Sequence, residues 1–272
     1  MNEKLLLIND MPGYGKVALA AMIPVLSHMG YNLYNLPTAL VSNTLDYGKF
    51  EILDATQYMK HTLAVWKELG FSFDCISTGF ITSEEQAALI ASYCSEQKQR
   101  GTRVFVDPIM GDNGKLYNGV SKQTVAHMRH LCQVADVMMP NFTEATFLAD
   151  QFCGATDLTA GQAGQLLHTL RTLCTGSIVI TSASVEGVAQ VLCWNAEHQT
   201  QFSLPFEPVP VQFPGTGDLF SAVLVGKMMA GEPLEQSTQM AMDAVRDLIL
   251  KNRDNQDKYK GIPLEQFLEE LP

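Results

Sequence analysis

Short, largely apolar runs recur along this chain, and each is followed by turn residues and a longer amphipathic stretch. The runs cover residues 5–8, 75–77, 104–106, 137–139 and 178–180. A strand that is apolar on both faces needs cover on both faces, so it belongs in a parallel sheet flanked by helices. The amphipathic stretches predict helices over residues 18–29, 50–69, 83–100, 121–132, 144–152, 161–173, 219–230 and 234–251, with a short last helix at 264–271. Residues 188–194 and 200–204 flank a turn-forming segment and read as a hairpin. That adds an antiparallel portion near one edge of a mostly parallel sheet. No long linker, low-complexity stretch or fixed-period repeat interrupts residues 1–272, which therefore read as one domain.

Composition narrows the function. Hydrophobic residues make up 46% and charged residues 17%, enough for a sizeable core and too apolar for wholesale disorder. The net charge of −11, with Lys and Arg scattered, argues against a nucleic-acid binder. Any phosphate must be held by a local site against the overall field. The N-terminal apolar run is too short for a signal-peptide core, and no run approaches the ~18 residues of a membrane span. The expectation is a cytoplasmic chain with no membrane partner. Six cysteines without a CxxC pair read as free buried thiols, not as a disulfide framework or a metal site.

In open α/β sheets, ligands bind beyond the carboxyl ends of the strands. The loops there hold the chemistry. The richest is Phe213-Pro214-Gly215-Thr216-Gly217-Asp218 ahead of an apolar helix. Its glycines let successive N–H groups converge, and the helix adds its positive end, which makes an anion hole for a phosphoryl group in transfer. Asp218 at the mouth of that helix can accept a proton from an attacking hydroxyl, although Asp is also a preferred helix cap. A second loop, from Asp107 to Tyr117, carries two aspartates, Asp107 and Asp112, at a strand's end where carboxylates can hold Mg²⁺ beside phosphates. Asp, Pro, Gly and Asn are also ordinary turn formers. The third, Met139-Pro140-Asn141-Phe142-Thr143-Glu144, has capping-box spacing between Asn141 and Glu144, compatible with Glu144 facing a phosphate–Mg²⁺ region. Thr181 and Ser182 follow another strand and offer hydroxyls to a phosphate. Gly13-Tyr14-Gly15-Lys16-Val17-Ala18 fits a dinucleotide fingerprint, but residues 36–40 lack the acid that grips a ribose. No P-loop is present either.

Taken in order, these motifs resemble those of the pyridoxal and pyridoxamine kinases of the ribokinase-like superfamily. They run Val41-Ser42-Asn43, Thr78-Gly79-Phe80, VDPIMGDNGKLY, MPNFTEA, VITSA and PGTGDLFSAVL, across nearly the whole chain. The resemblance implies a three-layer α/β/α sandwich, a homodimer, and transfer of the γ-phosphate of ATP to the 5′-hydroxymethyl of a B6 vitamer. It implies Asp218 as base, the amides of Gly215, Thr216 and Gly217 as anion hole, and Asp112 and Glu144 on Mg²⁺. Tyr117, Asn141, Thr181 and Ser182 would bind the nucleotide, and Asp10, Ser42 and Phe80 the acceptor. Phe80 stands where the family carries a tyrosine; it keeps the ring and loses the hydroxyl. Leu45 replaces a threonine that often contacts the acceptor. Met139 replaces a threonine that often helps bind a monovalent cation, K⁺ or Na⁺. Hydroxymethylpyrimidine kinases, sugar kinases and non-catalytic vitamer-binding relatives are the alternatives.

Overall fold

The computed structural model describes residues 3–117, 120 and 122–272. Its strands are β1 (Lys4–Pro12), β2 (Asn32–Val41), β3 (Ile52–Asp54), β4 (Cys75–Thr78), β5 (Arg103–Val106), β6 (Gly111–Asp112), β7 (Lys115–Leu116), β8 (Val137–Met138), β9 (Ser177–Val185), β10 (Val188–Asn195) and β11 (Thr200–Pro205). Its helices are α1 (Ala18–His28), α2 (Thr56–Glu68), α3 (Glu84–Lys98), α4 (Lys122–Cys132), α5 (Phe142–Ala149), α6 (Ala160–Leu173), α7 (Thr216–Met229) and α8 (Leu234–Asn252). The expected start of the fourth helix at Ser121 lies outside the described residues.

The chain forms two compact units, Met1–Thr82 with Val209–Pro272, and Ser83–Pro208. In the first, β1 lies between β4 and β2, parallel to both, and β3 pairs antiparallel with β2. Leu5, Leu6, Leu7 and Ile8 are all 0% exposed, as a two-sided apolar strand requires. Burying each of these side chains contributes roughly 1.5–3 kcal/mol. In the second unit β5, β8 and β9 run parallel, and β10 and β11 continue antiparallel as the expected hairpin. β6 and β7 form a separate small hairpin. The α/β reading stands, with helices alternating with mostly parallel strands.

Four local expectations need correction. The helix expected over residues 50–69 begins only at Thr56. Ile52 and Leu53 instead pair with β2, and the Asp54 carboxylate accepts the Thr56 N–H at 2.8 Å to start the helix. Antiparallel pairing therefore occurs in both units, not at one edge only. The last expected helix is two short 3₁₀ turns, Leu264–Gln266 and Leu268–Glu270, too few residues for a stable α-helix. Five cysteines are buried thiols as expected, but Cys153 is exposed. No helix among the described residues is long and apolar enough to cross a membrane.

Candidate active site

The first unit carries the glycine-rich turn and its aspartate. Gly215 has φ +84°, and a Cβ there would lie 2.1 Å from the carbonyl oxygen of Lys16, so only glycine fits. The turn delivers the chain into α7, whose first N–H groups have no intrahelical partner. The Thr216 hydroxyl donates to the Phe213 carbonyl at 3.1 Å, fixing the turn from inside. Beside Gly217 the space is open: a Cβ would meet nothing within 4 Å. The helix start therefore offers amides, a positive dipole end and room for an anion.

Asp218 lies in the first turn of α7 and is 9% exposed. Burial pushes its carboxyl from 3.8 to about 6, against hydrogen bonds from the Ala18 amide and the Asn9 side chain. Ala18 adopts φ +48°, an uncommon backbone state for a residue with a Cβ, and its N–H is aimed at this carboxylate. Asp10, half-buried at the end of β1, is raised further, to about 7, by burial and then by the charge of Asp218. Phe80 follows β4; its N–H donates to Asn9 Oδ1 at 2.8 Å and its carbonyl accepts from the Thr38 hydroxyl at 2.8 Å. Ser42 is exposed and spent locally: it donates to Asn43 Oδ1 at 2.7 Å and accepts the Glu51 N–H at 2.8 Å. The structure thus brings Asp10, Phe80 and Asp218 to one network through Asn9, a residue the sequence reading did not single out. It leaves Ser42 outside that network.

The second unit carries the acidic loop. Asn113 and Gly114 have φ +52° and +76° and turn β6 into β7, the Asn-Gly signature of a tight hairpin. The exposed Asp112 closes this hairpin, its carboxylate accepting from the Asn113 N–H at 2.7 Å and Nδ2 at 3.2 Å. Asn141 and Glu144 make the expected capping box at the start of α5: Asn141 Oδ1 accepts the Glu144 N–H at 2.9 Å, and Glu144 Oε2 accepts the Asn141 N–H at 2.8 Å. Glu144 Oε1 accepts from the Met110 N–H at 3.0 Å. Burial, and then the Asp107 carboxylate, push the proton affinity of Glu144 up, while these amides pull it down. Asn141 Nδ2 reaches the Gly111 carbonyl at 2.8 Å, so α5 and the hairpin are one rigid piece. Thr181 donates its N–H to the Pro140 carbonyl at 3.0 Å, next to Asn141. Ser182 is exposed with φ +58°, where the register between β9 and β10 shifts. Tyr117, at 40% exposure, stands just past β7.

Among the described residues no three His, Cys, Asp or Glu side chains converge to hold a metal. Mg²⁺ commonly takes only one or two carboxylates and fills its octahedron with waters and substrate phosphates. The exposed Asp112 suits such a nucleotide-borne cation. Both Glu144 oxygens are already engaged by backbone amides, which suits it to holding the loop.

The sequence profile of the phosphomethylpyrimidine kinase family matches residues 20–262. The chain belongs to this family. Among solved structures, the kinase is similar to a "putative phosphomethylpyrimidine kinase" of Bacteroides thetaiotaomicron, 33% identical over 99% of this chain and 93% of that one, with a TM-score of 0.94. An orthorhombic form of that protein, solved with pyridoxal, is likewise 33% identical, with a TM-score of 0.93 over 99% and 95% of the two chains. The pyridoxal kinase of Lactobacillus plantarum is 27% identical, with a TM-score of 0.89 over 99% and 96%. A pyridoxine/pyridoxal/pyridoxamine kinase of Bordetella pertussis is 25% identical over 89% of this chain and 86% of that protein. The ribokinase-like resemblance is borne out. The kinase is a phosphotransferase of the pyridoxal kinase type, with an alcohol group as acceptor.

Proposed function

We propose that this kinase phosphorylates the 5′-hydroxymethyl group of a B6 vitamer (pyridoxal, pyridoxamine or pyridoxine) with ATP and Mg²⁺, residues 1–272 acting as one catalytic domain. The observation that carries the reading is the buried Asp218 carboxyl, raised to about 6 and set in the first turn of α7 behind the Gly215 turn. At neutral pH such a carboxyl is mostly ionised yet retains proton affinity, as a general base needs. Support for the acceptor comes from the 33%-identical relative solved with pyridoxal.

Asp218 takes the proton of the acceptor hydroxyl. The acceptor oxygen forms a bond to the γ-phosphorus of ATP as the bond to the β–γ bridging oxygen breaks, and ADP leaves. The amides of Gly215, Thr216 and Gly217 receive the charge on the transferred group, in the open space beside Gly217. Phe80 stacks on the pyridine ring and Asp10 meets its polar edge, with Ser42 shaping the flanking loop. Asn141, Tyr117, Thr181 and Ser182 hold the nucleotide. Asp112 and Glu144 would hold the cation, Asp112 by its exposed carboxylate and Glu144 by fixing the hairpin; the cation's part is to offset phosphate charge. Met139 is buried at 3% exposure, and its thioether side chain brings no oxygen where a threonine hydroxyl would serve a monovalent ion.

ADP release from ATP·Mg²⁺ with pyridoxal, pyridoxamine, pyridoxine, hydroxymethylpyrimidine and ribose tests this reading. Turnover with a vitamer, lost in Asp218→Asn by ~10²-fold or more, is expected. Preference for hydroxymethylpyrimidine would promote the second reading, which the family profile and the name of the Bacteroides relative favour. We further place the enzyme in the cytoplasm as a homodimer. Exposed apolar side chains on β3 and α2, Leu53 at 62% and Tyr58 at 58%, support a covered face, and light scattering reads the mass directly.

A further inference from the structure

We propose that Asn9 is a positioning residue for the Asp218 base: its side-chain amide fixes the direction of the carboxylate that receives the acceptor's proton. The proposal rests on the reading of Asp218 as that base. Asn9 lies near the end of β1 and is 2% exposed. Its Oδ1 accepts two backbone N–H bonds, from Asp10 at 3.0 Å and Phe80 at 2.8 Å. Those two donors assign the amide's orientation. Rotated by half a turn, its NH₂ would face two N–H groups and its oxygen would face a carboxylate. Nδ2 is thereby committed to Asp218 Oδ1, at 3.3 Å.

Gly79 leaves room for this group. A Cβ at Gly79 would lie 2.4 Å from Asn9 Nδ2. The carboxylate is thus gripped by two donors from different parts of the chain, the Asn9 amide on β1 and the Ala18 N–H at the start of α1. Asn9 also bonds the backbone of Asp10 and Phe80, two of the three candidate acceptor residues, so base and acceptor loops share one anchor. An amide that donates to the ionised carboxylate opposes the burial that holds the proton on. Asp10 on β1 is a titratable neighbour that the charge of Asp218 raises; α1 presents the Ala18 amide and α7 its own N-terminus to the carboxylate.

The test compares full-length wild type with Asn9→Asp, Asn9→Ala and Gly79→Ala, using pyridoxal, ATP and Mg²⁺. Asn9→Asp keeps an oxygen for the Asp10 and Phe80 amides and puts a carboxyl in place of the amide donor, so that its charge also opposes ionisation of Asp218; Asn9→Ala and Gly79→Ala remove or displace the donor without adding charge. Gly79→Ala leaves Asn9 in the sequence and crowds it. The expected result is a kcat at pH 7 lower by roughly 10-fold or more, the loss of one charge-assisted hydrogen bond. The acid limb of kcat/KM should move up by about one pH unit; in Asn9→Asp, which keeps an oxygen for the Asp10 and Phe80 amides, the pyridoxal KM should change little. An unmoved limb with kcat near wild type, and only a lower thermal midpoint, would reduce Asn9 to a structural residue. If Asn9→Ala does not fold, Asn9→Asp and Gly79→Ala decide the matter. Asp218→Asn runs alongside. Full turnover in that variant sinks the base reading and this proposal with it. An inactive Asp218→Asn with an unmoved limb in the Asn9 and Gly79 variants sinks the Asn9 assignment alone.

Discussion

Asp10 and Asp218 form a coupled pair of carboxyls: the charge on Asp218 helps raise Asp10 to about 7, while Asp218 itself stands at about 6. Such coupling is reciprocal, so each ionisation opposes the other. Asp218, the lower of the two, ionises while Asp10 is still mostly protonated. Replacing Asp10 by Asn therefore removes little charge from beside the ionising base, and the acid limb of kcat/KM should stay within about half a pH unit of wild type, unlike the upward shift expected for the Asn9 variants. A pH–rate profile of Asp10→Asn with saturating ATP·Mg²⁺ checks this, and a limb that moves down by about a full unit would mean that Asp10 ionises first.

The two glycines of the turn make different demands. At Gly215, φ +84° and a Cβ position 2.1 Å from the Lys16 carbonyl mean that Gly215→Ala must distort the backbone. Strain of this kind costs about 1–3 kcal/mol, and the steric overlap adds to it. Gly217→Ala meets nothing within 4 Å and lies in the first turn of α7, where alanine is the better helix former. We expect Gly215→Ala to lose both stability and activity. Gly217→Ala should keep or slightly raise its thermal midpoint while its kcat falls, because the added methyl occupies the space left for the phosphoryl group. Equal kcat in Gly217→Ala and wild type would remove the anion hole from this turn.

Glu144 is buried at 2% exposure with backbone amides on both oxygens. Glu144→Gln keeps its volume and turns one oxygen into an NH₂ that faces an N–H donor. A buried donor left without its acceptor costs about 1–3 kcal/mol. The variant should unfold at lower denaturant concentration, and its KM for ATP·Mg²⁺ should rise, since the Asp112 hairpin hangs on the same network. Chemical denaturation and steady-state kinetics read the two effects separately. Lower stability with an unchanged ATP KM would confine Glu144 to the fold.

How much of this was legible follows from how local each signal is. Residues 5–8 announce a buried strand because every side chain there is apolar, and the capping box of Asn141 and Glu144 needs only a spacing of three. Residues 52–54 were hidden. Three residues of edge strand sit against a helix, and their apolar pattern extends the helical period. β2 carries Asn32, Asn35, Pro37 and Thr38, so only its last three residues, Ala39–Val41, run apolar and most of the strand gives no such signal. The Asn113-Gly114 hairpin had its turn signal in the sequence, but its strands are two residues each, too short for any periodicity. Asn9 left no local trace at all. Its meaning depends on Asp218, 209 residues away, and on the absent side chain of Gly79. Buried polar networks that join distant segments are where reading by motif stops.

Asp218 itself carries a cost that should be measurable. Its carboxyl is raised from 3.8 to about 6 by burial, so across that window the folded protein keeps a proton that the unfolded chain has lost. Stability therefore falls as pH rises through the window and stays at its lower level above it. The penalty at neutral pH is about 1–3 kcal/mol, the free energy of a shift of about two pH units less some relaxation. Asp218→Asn removes the charge and keeps an oxygen for the Asn9 amide. It should be more stable than wild type at pH 7.5 while transferring almost no phosphate. At about pH 4 the wild-type carboxyl is protonated in the folded state and the advantage should shrink towards zero. Thermal midpoints of both proteins at the two pH values provide the comparison. An advantage that persists unchanged at low pH would mean the variant is stabilised by packing, and that burial of the ionised Asp218 carboxylate is not the origin of the difference.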